Sequence, residues 1–253
     1  MKAIILAAGK GSRLGKLTLD KPKGMLDFMG KTLLEHQIEM YNSIGIKDII
    51  IIRGYKKNKI NFKNIKYIDN DLYNETNMIE SLICARNYMN DDCIVSYSDI
   101  LFSNNLLKSL VNNDSPIAVT VDSNWKKYWK QRYGNLSKDI EDLQISNNKI
   151  IRIGQEITEP ETLDYRYVGL NKFSSESIKQ MLMTYDSKKI IGDRWRSSGN
   201  TFKNGYITDL LQEIIDRGID VSPHVTKNEW LEIDTGDDYL VAKDLFLSKQ
   251  FEF

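Results

Sequence analysis

Short apolar runs alternating with amphipathic stretches organise the first half of the chain. Residues 2–6 (KAIIL) are largely apolar and stop at Ala-Ala-Gly, the profile of a strand covered on both faces. Residues 48–53 (DIIIIR) repeat that profile, and residues 65–68 give a third, shorter run. Between the first two, residues 32–42 bring Leu33, Leu34, Ile38 and Tyr41 back near helical spacing. Thr32 and Glu35 are placed there as a capping box, and Gly45 marks the stop. A helix over 77–88, a strand over 93–97, a helix over 105–111 and a strand over 117–121 continue the series. This alternation predicts an α/β fold, a three-layer αβα sandwich around a mixed, mostly parallel central sheet.

The pattern changes after Asp122. Residues 125–132 are aromatic and basic, and on a helix Trp125, Trp129 and Arg132 share one face. Runs at 143–145 and 149–153 flank Asn147-Asn148 and predict a hairpin. A strand at 165–173, a helix at 175–185, a long polar loop or lid at 186–204 and a helix at 206–217 come next. Strands at 221–225 and 230–233 and a terminal helix at 237–247 close the chain. With no repeat and no low-complexity linker, a single domain over 1–253 is the economical reading.

A chain of 253 residues can bury a sizeable core. Lys plus Arg equals Asp plus Glu at 35 each, so no net field draws the chain to nucleic acid or to an anionic membrane. An anion must be held by local grouping instead. Cys84 and Cys93 fall in a predicted helix and strand without metal-ligand spacing and read as core thiols in a reducing compartment. The apolar run at the N-terminus is too short for a signal peptide or a membrane span, and no later run is longer, so a soluble, cytoplasmic protein is expected.

Candidate chemistry gathers first at residues 6–13 (LAAGKGSR) and at Pro22-Lys23. Glycines after a first strand let backbone approach a ligand, and successive N–H groups there form an anion-binding nest. Arg13 adds a planar donor fork and Lys23 a point charge. An ordinary strand-to-helix turn would also show a lone GxG, but neither a Walker A ending nor a Rossmann GxGxxG is present. Two carboxylates end apolar runs: Asp99 after residues 93–97, where α/β proteins place ligands, and Asp234 after residues 230–233. Each alone is compatible with loop capping. As a pair they suit Mg²⁺, which takes one or two carboxylates plus substrate oxygens. Glu232 shares a strand face with Asp234 and is a third candidate.

The GxGSR run with PK ten residues past Arg13 resembles the signature of the nucleotidylyltransferase superfamily, shared by sugar-phosphate and phosphocholine nucleotidylyltransferases. The resemblance implies a Rossmann-like nucleotidyltransferase fold with a smaller inserted, β-rich acceptor-binding part. It divides the domain into a nucleotide-binding half, 1–121, and an acceptor-binding half, 122–253. It implies nucleotide contacts from Leu6, Ala7, Ala8, Gly9, Gly11, Ser12 and Arg13, and a contact of Lys23 with the α-phosphate and the attacking acceptor. Asp99 and Asp234 would hold Mg²⁺, making Arg13, Lys23, Asp99 and Asp234 the catalytic set.

Asn77 and Ser81 stand one helical turn apart and, like a similar stretch in phosphocholine cytidylyltransferases, are placed beside a pyrimidine; N-capping explains Asn77 equally well. The run V-D-x-x-W-x-x-x-W-x-x-R from Val121 to Arg132, with residues 96–100 (SYSDI) before it and 167–173 (YVGLNKF) after it, is similar to the phosphoglutamine cytidylyltransferases that serve capsule modification and to their phosphonate-handling relatives. Tyr97, Trp125, Trp129, Arg132, Tyr167, Gly169, Asp209 and Trp230 would then border the acceptor, although core packing accounts for an aromatic stripe as well. His36 and His224 read as structural. The expected reaction moves CMP from CTP to a small phosphate or phosphonate with release of pyrophosphate, in capsule or cell-surface polysaccharide biosynthesis. The expected partners are CTP and that metabolite, without nucleic acid or membrane. A homodimer is compatible with the pattern, which sets no oligomeric state. Two alternatives stay open: a hexose-1-phosphate nucleotidylyltransferase using UTP or dTTP, and a non-catalytic nucleotide-sensing subunit. A metal-dependent glycosyltransferase would show a DxD pair where this chain has Ser-Tyr-Ser-Asp.

Overall fold

A computed structural model describes residues 1–253. One seven-stranded sheet is built from β1 (Lys2–Ala7), β2 (Ile49–Arg53), β3 (Lys66–Asp69), β4 (Cys93–Tyr97), β5 (Ile117–Asp122), β6 (Arg166–Phe173) and β7 (Ser222–Thr226). The strands lie in the order β7-β5-β6-β4-β1-β2-β3. All neighbours are parallel except those of β6, which runs antiparallel to both β4 and β5. The helices are α1 (Leu33–Ser43), α2 (Met78–Cys84), α3 (Asn104–Val111), α4 (Trp125–Tyr133), α5 (Ser175–Ile191), α6 (Ile207–Asp216) and α7 (Gly236–Leu247).

The apolar strands sort their side chains to two faces by simple alternation. Ala3, Ile5, Ile49 and Ile51 join a core with α1, α3, α4 and α7, while Ile4, Leu6, Ile50 and Ile52 join a second core with α2, α5 and α6. This is the three-layer sandwich that the alternation of elements predicts. The predicted capping box at Thr32 and Glu35 is formed, and Asn147 and Asn148 both take left-handed backbone at the hairpin tip between Glu141–Ser146 and Lys149–Glu156.

Two expectations are corrected and one element is added. The helix expected to end near Tyr185 continues to Ile191, because Lys188 is buried and pairs with Asp193, so the polar loop begins only at Gly192. Cys84 is exposed on α2, and Cys93 alone is a core thiol. Residues 100–102, unassigned by pattern, form a short ribbon with Trp230–Glu232. The ribbon lies just beyond the carboxyl end of β4, beside β1, whose neighbours β4 and β2 flank it on opposite sides where a ligand crevice opens.

Candidate active site

Asp99 and Asp234 come from distant parts of the chain and are registered by backbone pairing. The ribbon aligns Ile100 with Glu232, and the Ile233 N–H donates to the Asp99 carbonyl at 3.0 Å. Gln37 on α1 secures the same turn from beneath. Its buried amide donates to the carbonyls of Tyr97 (2.8 Å) and Ile100 (2.7 Å) and accepts from the Ser96 hydroxyl (3.0 Å).

Lys23 arrives from the glycine loop. Gly11 has φ +69°, and a Cβ placed there would lie 2.8 Å from the Lys23 Cβ, so the absence of a side chain at Gly11 gives the lysine its path. The Lys23 Nζ donates to Asp99 Oδ2 at 2.5 Å and also to Asp234 Oδ1. Arg13, more than half exposed, reaches the same Asp234 Oδ1 at 2.8 Å. Four predicted residues, Arg13, Lys23, Asp99 and Asp234, therefore meet in one cluster.

Arg132 is placed differently from its expected role at the acceptor phosphate. Its side chain is fully buried and lines neither cavity of the crevice, donating to Glu232 Oε2 (2.5 Å), Asp234 Oδ2 (3.3 Å) and both oxygens of Asp238 (2.8 and 3.0 Å). The guanidinium lies 4.5 Å from the centre of the Trp129 ring. Trp125, Trp129 and Trp230 are core residues at 0–1 % exposure, and none borders the crevice. The face of α4 that carries Trp125 and Trp129 packs inward against Tyr128 and against Trp230 of the Trp230–Glu232 strand. Asp209 is buried as well. Its carboxylate caps α6 and takes donors from Ser197, Ser198 and the Tyr206 N–H, which leaves it no contact with a ligand.

Burial works against the Lys23 ammonium, but Asp99 and Asp234 outweigh it and raise its pKa. Burial would likewise raise Asp234, yet Lys23, Arg13 and Arg132 together hold its carboxyl below the usual range. Glu232 goes the other way. Burial and the neighbouring Asp234 overcome Arg132 and push it up to about 7. The donors fit a hard divalent cation: Asp99 Oδ1 is buried without a hydrogen-bond partner, all the groups are oxygens, and Asp139, Glu232 and Asp234 offer oxygens within 4.8 Å of one another. Asp234 belongs to that group, whereas Asp99, the other carboxylate singled out by sequence, stands outside it and is joined to Asp234 through the Lys23 ammonium.

Two cavities open at this cluster. The smaller, about 120 Å³, is lined by Leu6, Ala8, Gly9, Lys23, Asn77 and Ser81 among others, which brings six predicted nucleotide contacts together. Ala7, Gly11 and Ser12 do not line it. Asn77 spends its side-chain carbonyl as the cap of α2, accepting from the Met78 N–H at 2.9 Å, so the NH₂ is the group it has left to offer. The larger cavity, about 550 Å³, is lined by Arg13, Asp99, Asp234, Tyr97, Tyr167 and Gly169, together with residues the sequence did not single out. Among these are Asp139, Glu141, Glu156, Arg166 and Thr208. Glu141, Glu156 and Arg166 sit at strand ends, Asp139 in the loop before the hairpin and Thr208 in the first turn of α6, and only the fold assembles them. Tyr97 and Asp99 border both cavities. The bulge in β6 at Gly169 (φ +85°) makes room for the Tyr97 ring, whose Cδ2 lies 2.6 Å from where a Cβ would stand.

Comparison with known proteins adds to this. The model of the MobA-like NTP transferase domain matches residues 3–155. Over 247 residues the chain is 33 % identical to the CTP:phosphoglutamine cytidylyltransferase of Campylobacter jejuni subsp. jejuni, covering 92 % of this chain and 96 % of that one. It is 39 % identical over 108 residues to the choline-phosphate cytidylyltransferase of Streptococcus pneumoniae, covering 41 % of this chain and 47 % of the relative. Among solved structures, the inositol-1-phosphate CTP transferase from T. maritima superposes with a TM-score of 0.73 at 22 % identity, covering 96 % of each chain, a likeness of fold.

Proposed function

The chain belongs to the MobA-like NTP transferase family and is a nucleotidyltransferase; from that premise we propose that it transfers CMP from CTP to a small phosphate or phosphonate acceptor and releases pyrophosphate. The observation that carries this reading is the meeting of two cavities at one cluster of Lys23, Asp99 and Asp234. The glycine-loop cavity takes the nucleotide, with Asn77 and Ser81 at the base. The larger cavity takes the acceptor, and residues after 122 supply most of its wall.

The acceptor oxygen is already anionic at neutral pH, so its attack on the α-phosphorus needs no base. It forms the new P–O bond as the bond to pyrophosphate breaks. What opposes it is repulsion between two anions. Lys23 and Arg13 offset that repulsion, Lys23 by exchanging its carboxylate partners for phosphate oxygens as the nucleotide enters. Mg²⁺, when held by Asp99 and Asp234, supplies charge neutralisation at the α-phosphoryl and the leaving oxygens. Tyr97, whose pKa burial and Tyr167 raise further above its ordinary value, forms a common wall that orients one reactant against the other.

The acceptor cavity also has a charge pattern. Beyond the metal-binding pair it presents Asp139, Glu141, Glu156 and Glu232 against Arg13 and Arg166. An acceptor whose phosphate meets Lys23 and Arg13 while its far end carries an ammonium group fits that pattern better than a neutral hexose does. Phosphoglutamine- and phosphocholine-like compounds, and phosphonates with an amine, are of this kind.

The test is pyrophosphate release in Mg²⁺, crossing CTP, UTP, dTTP, ATP and GTP with phosphoglutamine, phosphocholine, aminoalkyl phosphonates and hexose 1-phosphates. Release with CTP and an amine-bearing acceptor is expected. Release only with UTP or dTTP and a hexose 1-phosphate would overturn the proposal, as would nucleotide binding without turnover of any acceptor.

A further inference from the structure

We infer that Arg132 is a positioning residue for the transfer step, acting through Asp234 and never touching a substrate; this rests on the function proposed above. Four features support the inference. The guanidinium is at 0 % exposure and borders neither cavity, so it has no route to CTP or acceptor. It nevertheless spends its donors on three carboxylates, two of which, Glu232 and Asp234, line the acceptor cavity. It takes Oδ2 of Asp234, which leaves Oδ1 for Lys23 and Arg13. Its third partner, Asp238, accepts the N–H groups of Asp234 (3.1 Å) and Thr235 (2.9 Å), so the same arginine braces the backbone that carries Asp234.

The charge arrangement gives this brace a purpose. Asp99, Glu232, Asp234 and Asp238 face Lys23, Arg13 and Arg132; Asp99 and Asp234 would hold the cation, and Lys23 and Arg13 would then turn from Asp234 to phosphate. Arg132 is then the only one of the three positive groups that stays fixed against Asp234. Without it, Asp234 would be free to rotate Oδ1 away when Lys23 leaves. A buried bidentate fork is suited to this task; a lysine in its place keeps the charge but not the two-armed contact. The rings of Tyr128, Trp129 and Tyr133 lie 5.4, 4.5 and 4.9 Å from the guanidinium and enclose it.

The experiment compares wild type with Arg132→Lys and Asp238→Asn, each first checked for native circular dichroism and cooperative melting. The second variant withdraws one partner of the fork while leaving Arg132 in place, and it decides the matter if the first does not fold. CTP affinity is measured by calorimetry in EDTA, Mn²⁺ affinity of the CTP-bound protein by electron paramagnetic resonance, and kcat and the acceptor KM by pyrophosphate release. The expected result is CTP affinity without metal changed less than about twofold, Mn²⁺ affinity weakened at least about fivefold, and kcat lowered at least about tenfold with acceptor KM nearly constant. A folded variant with unaltered Mn²⁺ affinity overturns the inference. So does a rise in acceptor KM at constant kcat, which would return Arg132 to acceptor binding. So does an equal loss of metal-free CTP binding, which would mean general disruption. If wild type turns over no acceptor, the proposed function fails, but the Mn²⁺ comparison still judges Arg132.

Discussion

Replacing Gly169 by alanine tests the idea that Tyr97 separates and orients the two reactants. Two costs are expected, and the structure allows them to be separated. The first is backbone: at φ +85° an alanine sits in the left-handed region, which costs about 1–2 kcal/mol for an L side chain. The second is steric: the new Cβ would lie 2.6 Å from Tyr97 Cδ2 and 3.0 Å from Cγ, so the ring must move, and overpacking of this kind costs about 1–3 kcal/mol more. Gly134, which ends α4 at φ +73° with nothing within 4 Å of a Cβ, carries only the first cost. Gly134→Ala therefore serves as the control. For a chain of this size each kcal/mol lowers Tm by roughly 2–4 °C, so the Gly169 variant is expected to melt several degrees below the Gly134 variant. Displacing the wall between CTP and acceptor by about 1 Å is expected to lower kcat/KM by about tenfold to a hundredfold, while Gly134→Ala keeps wild-type turnover. Calorimetric melting and pyrophosphate release measure the two effects. Equal melting temperatures for the two variants, or wild-type kinetics in Gly169→Ala, would refute the reasoning.

Asp99→Asn is expected to bind CTP and to lose about 10²–10³-fold in pyrophosphate release, since it removes a charge at the transferring group; a full-rate Asp99→Asn enzyme would remove Asp99 from the metal site. Gln37→Leu deprives two carbonyls and a hydroxyl of their partners, at about 1–3 kcal/mol for each group left buried and unpaired, so a large fall in Tm and slower turnover are expected together. If its Tm is unchanged, the support for the Asp99 turn lies elsewhere. The raised pKa of Glu232 means the fold binds its proton more tightly than the unfolded chain does. Its contribution is full below about 4.5 and fades as pH rises through about 7, so Glu232→Gln should lose less stability than wild type between pH 5 and pH 8. Parallel curves of Tm against pH for the two proteins would show that Glu232 is not the group responsible.

Local rules recovered most of the fold because the relevant signals are local. The tetra-isoleucine of β2, the Thr32–Glu35 box and the Asn147-Asn148 tip each lie within a few residues, and each forms as expected. The Lys23, Asp99 and Asp234 convergence was legible through motif and strand-end position. The role of Arg132 was not. An aromatic and basic helix face looks the same in sequence whether it points to a ligand or to a core, and what decides is a set of carboxylates about a hundred positions away. The extension of α5 was hidden for a similar reason, since Lys188 reads as solvent-facing until its partner Asp193 is seen. The acidic wall of the acceptor cavity comes from Asp139, Glu141 and Glu156, which no spacing rule connects to Arg166 or Tyr167.

The ribbon that joins residues 100–102 to Trp230–Glu232 has a bearing on the order in which the protein is made. Lys23 and Asp234 are 211 positions apart, and one half of the cluster leaves the ribosome long before the other. A nascent chain can lay down β1 to β4, the glycine loop and the Lys23–Asp99 contact, but the ribbon that registers Asp99 against Asp234 forms only when the segment beyond position 230 emerges and pairs. Contacts of such long range form late. A prematurely terminated chain would thus carry the glycine loop, proposed above to hold the nucleotide, and Asp99 without Asp234.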